Sequence, residues 1–218
     1  MKRFKYQRTK HLSYSEKLSD DDKVLSNEDI FKNKNVVVSI KEDGENTSIY
    51  DDTSHARSLN SSNDSEDRNW IELFRMLKIH KKIPDGYRLC GENLFYKHTI
   101  KYEGLKSYFH LFSIWDNDVC LSWRDTMKLA NELQIQTVPI IYQGVYDKDI
   151  IKNKFDEYNK GVPSEGFVVR LEDSFNIEDF GVSIAKYVSK SFVIPNQHWR
   201  HSAKERNGSV HVNHWFIE

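Results

Sequence analysis

Cysteine is nearly missing from this chain. Cys90 and Cys120 are the only two in 218 residues, too few for a disulfide scaffold and suited to a reducing, cytoplasmic compartment. Proline and glycine are sparse, at 4 and 9, which excludes a collagen-like chain and argues against a wholly disordered one. No apolar run approaches the roughly 20 residues of a membrane span, so no membrane partner is expected. The opening Met1-Lys2-Arg3-Phe4-Lys5-Tyr6 is charged but has no apolar stretch behind it, which argues against export. Also missing is an excess of either charge: 32 basic and 33 acidic residues leave −1 at neutral pH. Attraction to a polyanion must then come from local patches.

What is present suits one globular domain, or one domain with a small appendage, since 38% of residues are hydrophobic and 13% aromatic, enough for a packed core. Cations gather at the start (Lys2, Arg3, Lys5, Arg8, Lys10, interleaved with Phe4 and Tyr6) and between Lys186 and Lys204. Such runs are solvated faces or nucleic-acid contacts.

Residues 1–30 are polar, with an acidic run at Asp20-Asp21-Asp22, and read as an arm or short irregular elements. The β-branched run Val36–Ile40 reads as a strand, with Thr47–Tyr50 as its hairpin partner. Residues 58–69 read as a polar loop. Trp70 to Ile79 carries Trp70, Leu73, Phe74 and Leu77 at helical spacing, which predicts an amphipathic helix burying those side chains. Further strands are expected over 87–96, 108–115, 138–146 and 166–171, and helices over 123–134 and 149–159. The class is α+β with mostly antiparallel strands.

The most informative stretch is Lys41-Glu42-Asp43-Gly44-Glu45-Asn46. Asp-Gly is a strong hairpin-turn signal, so a plain turn accounts for it. A lysine ending a buried strand beside a tight turn is also held rigidly enough to act as a nucleophile. At an ordinary pKa of about 10.4 almost none of it is neutral near pH 7, so neighbouring cations or desolvation must depress it.

This hexamer resembles motif I of the covalent lysyl-nucleotidyltransferases, the superfamily of polynucleotide ligases and mRNA capping enzymes. The other motifs follow in order. His55-Ala56-Arg57-Ser58 resembles motif Ia and Leu89-Cys90-Gly91-Glu92-Asn93-Leu94 motif III. Tyr108 to Asp116 resembles motif IIIa, Ser164-Glu165-Gly166-Phe167-Val168-Val169-Arg170 motif IV, and Ile184 to Lys190 motif V. Asn46, the Gly-Glu-Asn-Leu form of motif III, and Lys-Tyr-Val followed by His198-Trp199 are most similar to the ATP-dependent RNA ligases.

The resemblance implies a ligase-type, ATP-grasp-like nucleotidyltransferase domain over residues 31–200, with antiparallel sheets flanking a nucleotide cleft. A short tail, 201–218, would hold no separate oligonucleotide-binding domain. It implies ATP and Mg²⁺ or Mn²⁺ as cofactors, RNA with 5′-phosphate and 3′-hydroxyl ends as substrate, a monomer, and room for a partner protein that sets specificity. Lys41 would be the nucleophile. Ile40, Asn46, Arg57, Glu92, Phe112, Lys186 and Lys190 would bind the nucleotide, and Glu165 would hold the metal through water.

Arg3, Lys5, Trp199 and Arg200 are candidate RNA contacts. Phe109 competes with Phe112 as the stacking ring. Lys190 stands four residues from Lys186 where the family commonly has Lys-x-Lys, which leaves its role open. Arg57 could instead pair with Asp51 or Asp52. His198-x-x-His201 and His211-x-x-His214 invite a zinc reading, but no cysteine accompanies them. A GTP-using capping-type guanylyltransferase and a non-catalytic RNA-binding module of the same fold remain as alternatives.

Overall fold

Val36-Val37-Val38 is β-branched on both faces, and such residues favour an extended backbone buried on both sides. In the computed structural model, which describes residues 3–59, 66–192 and 204–208, this run lies inside a strand. In chain order the strands are β1 (Lys10–His11), β2 (Asn35–Lys41), β3 (Glu45–Ile49), β4 (Ser54–Ala56), β5 (Tyr87–Asn93) and β6 (Phe109–Asp116). They continue with β7 (Val119–Cys120), β8 (Ile140–Val145), β9 (Gly166–Leu171), β10 (Phe175–Asn176) and β11 (Ile184–Val188). The helices are α1 (Glu66–Lys78), α2 (Trp123–Glu132), α3 (Lys148–Gly161) and α4 (Phe180–Ser183).

Among the described residues these strands build two sheets, in the orders β1-β11-β9-β2-β8 and β10-β7-β6-β5-β3-β4. The β1–β11 pair is parallel, and the remaining ladders are antiparallel. The fold is α+β, as the pattern of elements implies.

Strand parity decides what faces the space between the sheets. In the first sheet Val36, Val38, Ile40, Phe167, Val169, Ala185 and Tyr187 pack with Ile151 and Phe155 of α3 in one core. The alternate residues Val37, Ser39, Lys41, Val168, Arg170, Ile184 and Lys186 line a cleft. In the second sheet Ile49, Leu89, Phe109, Leu111 and Ile114 pack against Ile71 of α1 and Ala130 of α2, while Asn46 and Glu92, paired in register, turn to the cleft.

Two expectations are corrected. The strands around Lys41 are not a hairpin: β2 pairs with β8 and β9, whereas β3 pairs with β4 and β5. The tight turn carries the chain from one sheet to the other. Gly44 is needed there because a Cβ would stand 2.5 Å from the Asn93 carbonyl oxygen.

Helix α1 begins at Glu66, inside the expected loop, and buries Asp67, Arg68, Ile71 and Arg75. Leu73 and Leu77 are exposed. The buried face is held by ion pairs of Arg68 with Glu45 and of Arg75 with Glu72, which hydropathy spacing does not register.

The polar first thirty residues are irregular, apart from β1, but they are fastened down. The Phe4 N–H donates to the Tyr50 hydroxyl at 2.9 Å, and Arg88 Nη1 donates to the Phe4 carbonyl at 2.9 Å. Tyr6 wedges edge-on between Phe112 and Phe180, and Leu12, Leu25 and Phe31 join the core of the first sheet. At the other end the Asn207 side chain accepts from the Tyr102 N–H at 2.9 Å and donates to the Leu94 carbonyl at 2.8 Å.

Candidate active site

The last residue of β2 is Lys41, and its antiparallel partner on β9 is Gly166. Any side chain on residue 166 would collide with the Tyr187 carbonyl, so glycine lets β11 close against β9. Glu165, just before Gly166, reaches back to Lys41, Nζ to Oε2 2.5 Å. Glu92 enters from β5, where its Oε1 accepts from the Gly44 N–H at 3.2 Å. The cleft beside them measures about 570 Å³, room for a nucleotide.

The electrostatics reverse one expectation. Burial pushes the Lys41 amine down, but Glu165 and Glu92 outweigh it and hold the pKa at about 12. Lys41 is therefore held as an ammonium, not as an amine freed by surrounding cations. Burial raises Glu92 to about 8 against the pull of Lys41, and burial also raises Glu165. Burial and the Lys41 charge lower Lys186, with Asp22 and Glu165 opposing. Burial and Arg8 lower Arg57.

Ile40, Lys41, Asn46, Arg57, Glu92, Phe112 and Lys186 all line this cleft. Asn46 Oδ1 is buried and accepts no hydrogen bond among the described residues. Arg57 donates from Nε to the Tyr6 carbonyl at 3.3 Å; Asp51 instead accepts from the Lys81 N–H and faces His80. Phe109 is fully buried core, so of these two rings Phe112 is the one that lines the cleft. Lys190 lies outside the cleft: it is exposed beyond β11, with its N–H on Glu16 Oε2 at 3.1 Å. Arg3 and Lys5 are exposed. Trp199, Arg200 and the His-x-x-His pairs lie outside the described residues.

Sequence reasoning missed how the rest of the Lys41 hexamer is used. Both Glu42 oxygens lie on His110 Nδ1, at 2.9 and 2.8 Å, in a buried pair. Asp43 accepts from the Thr99 and Ile100 N–H groups at 2.6 and 2.8 Å, which ties the turn to the following loop. It also missed Tyr6, Gln7, Arg8, Thr9 and Asp22, which complete a wall of the cleft. The polar composition of residues 1–30 hid them.

No three His, Cys, Asp or Glu converge as a cation cage among the described residues. Half-buried carboxylates at the cleft, Glu92 and Glu165 beside Lys41, still fit Mg²⁺ or Mn²⁺, since Mg²⁺ keeps most of its waters and takes its remaining ligands from one or two carboxylates and the phosphates.

Two antiparallel sheets closing on a lysine-bearing cleft define a nucleotidyltransferase-type fold. Solved structures agree. An RNA ligase of Naegleria gruberi with PPi superposes at a TM-score of 0.54 and 20% identity, covering 75% of this chain and 52% of that one. A lysine-to-alanine variant of that ligase with ATP and Mn gives 0.53 and 18% over the same shares. A DNA ligase of Aquifex aeolicus, described as putative and ATP-dependent, gives 0.50 and 20%, covering 72% and 44%. The chain thus spans about half the length of these structures. No curated protein matches it. The RNA ligase family model matches residues 34–188, most of the chain, and the chain belongs to that family.

Proposed function

We propose that this protein is an ATP-dependent RNA ligase that joins 5′-phosphate and 3′-hydroxyl ends through a lysyl-AMP. The observation that carries this reading is the position of Lys41, at the junction of the two sheets, with Glu165 at 2.5 Å and Glu92, Arg57 and Lys186 around one cleft.

Lys41 attacks the α-phosphate of ATP in line, the Pα–O bond to pyrophosphate breaks, and a phosphoramidate forms. The proton Lys41 must shed has Glu165 as its nearest acceptor, a carboxylate whose basicity burial raises. Arg57 and Lys186 face the phosphates, Phe112 stacks on the base, and Glu92 takes a ribose hydroxyl. A divalent cation held near Glu165 supplies charge neutralisation at the phosphoryl oxygens. AMP then passes to an RNA 5′-phosphate, and a 3′-hydroxyl displaces it to seal the strand. Arg3 and Lys5 extend the RNA contact beyond the cleft. The reading keeps the protein cytoplasmic, in line with the free thiols of Cys90 and Cys120.

Intact-mass measurement after incubation with ATP or GTP tests it. AMP added to Lys41 is expected, with none on Lys41→Ala, whose melting temperature falls with loss of the Glu165 pair but whose thermal transition stays cooperative. GMP in place of AMP would redirect the reading to the capping class, and label retained by the alanine variant would reject Lys41.

A further inference from the structure

Lys186 sits on β11, and the side chain that holds it comes from the chain before residue 34, where the family match begins. Lys186 Nζ stands 3.5 Å from Asp22 Oδ1. Asp22 is itself fixed from several sides. Its Oδ2 accepts from the Ser19 N–H at 3.0 Å and from Ser19 Oγ at 2.6 Å, and it faces His11 Nε2 at 3.2 Å. His11 is 1% exposed.

The other side of that ring settles its tautomer. Ser15 Oγ accepts from the Val188 N–H at 2.9 Å and lies 2.8 Å from His11 Nδ1. A bare Nε2 lone pair against a carboxylate would be repulsive, so the proton belongs on Nε2, which faces Asp22 Oδ2 at 3.2 Å without hydrogen-bond alignment, and Nδ1 accepts from Ser15. The line therefore runs from the β11 backbone at Val188, through Ser15, His11 and Asp22, and back to the side chain of β11 at Lys186. Asp22 and Lys186 both line the cleft.

We propose that Asp22, oriented by His11 and Ser19, is a positioning residue that holds the Lys186 ammonium on the phosphate wall of the cleft. Without that anchor, Lys186 is a flexible cation still drawn by the charge of Glu165, the partner of Lys41. Asp22 keeps the two lysines on separate carboxylates, so that Lys186 meets phosphate while Lys41 stays with Glu165. The role in the reaction rests on the ligase reading above, and the contact itself does not.

The experiment has two arms on the full chain. Lysine-selective NMR of the Cε–Nζ groups without nucleotide reads the contact directly. Asp22→Asn should lower the Lys186 titration midpoint by about one pH unit, with Ser19→Ala moving it less in the same direction. An unchanged midpoint in Asp22→Asn overturns the proposal, whatever the protein catalyses.

The second arm follows lysyl-AMP formation in Asp22→Asn, Lys186→Met and the double variant. Asp22→Asn should slow the step about tenfold at saturating ATP, with apparent ATP affinity within about threefold, and should cost less than twofold once Lys186 is methionine. His11→Gln, which keeps an N–H toward the carboxylate, should retain the rate that His11→Leu loses. An equal penalty with and without Lys186 would mean that Asp22 is merely structural, and would overturn the proposal. Wild-type protein that takes no nucleotide would instead reject the ligase reading and leave the NMR arm to decide.

Discussion

Glu92 is a carboxyl whose burial is tolerable only while it is protonated or has a partner. Its folded pKa of about 8 stands above the ordinary 4.5. Below about pH 4.5 folded and unfolded chains both hold the proton. Between 4.5 and 8 only the folded chain does, so stability falls as pH rises through that window, and above 8 the whole cost is incurred. Glu92→Gln, neutral and of the same shape, removes this slope. Urea unfolding at pH 5, 7 and 9 should show the variant gaining on the parent at each step, and a constant difference would refute the assignment. Lys41 does not confuse the comparison, since a group raised from 10.5 to about 12 contributes fully below 10.5 and loses its contribution only above that range.

At the scale of elements, β6 shows how one extra residue sets up a site. Cys90 pairs with Ser113 and Gly91 with Leu111, so Phe112 is bulged out of the ladder. The bulge switches the alternation: Phe109 and Leu111 face the core, and so does Ile114, while Phe112 turns to the cleft. Phe112→Ala should then raise the ATP KM about tenfold with a small change in melting temperature. Phe109→Ala should cost about 3–5 kcal/mol of stability. Equal stability losses in the two variants would contradict the bulge.

Much of this was legible in the sequence. The parity of Val36 to Lys41 points Lys41 away from the core, and of the two rings that the motif resemblance offers, Phe112 is the one at the cleft. The partner of β2 was not legible, because Asp-Gly specifies a turn but not which strand the chain meets next. Nor was the buried face of α1, where Asp67, Arg68 and Arg75 replace apolar residues and are tolerated only through ion pairs, one of them with Glu45, distant in sequence.

For the whole molecule, near-zero net charge means that the RNA of the proposed reaction would have to be attracted locally. Arg8 is tied to Asp21 and Lys186 to Asp22, whereas Arg3 and Lys5 are exposed. Replacing both Arg3 and Lys5 with glutamine should weaken RNA binding and reduce the slope of log K against log salt by about 1–2. An unchanged slope would remove them from the interface. The same N-terminal segment bears on what counts as the folding unit. The family match begins at residue 34, yet Tyr6, Leu12, Leu25 and Phe31 are buried. Each such side chain is worth about 1.5–3 kcal/mol, against a total stability of about 5–15 kcal/mol for a domain. Trimming to residue 34 removes all of them, uncovers the edge of β11, and deletes Asp22 and Arg8 from the cleft. The trimmed chain should therefore lack a cooperative thermal transition and bind no ATP, while a chain lacking only the residues before Phe4 should keep both. A trimmed chain that melts cooperatively near the parent temperature would show that the first thirty residues are dispensable, as their polar composition alone suggests.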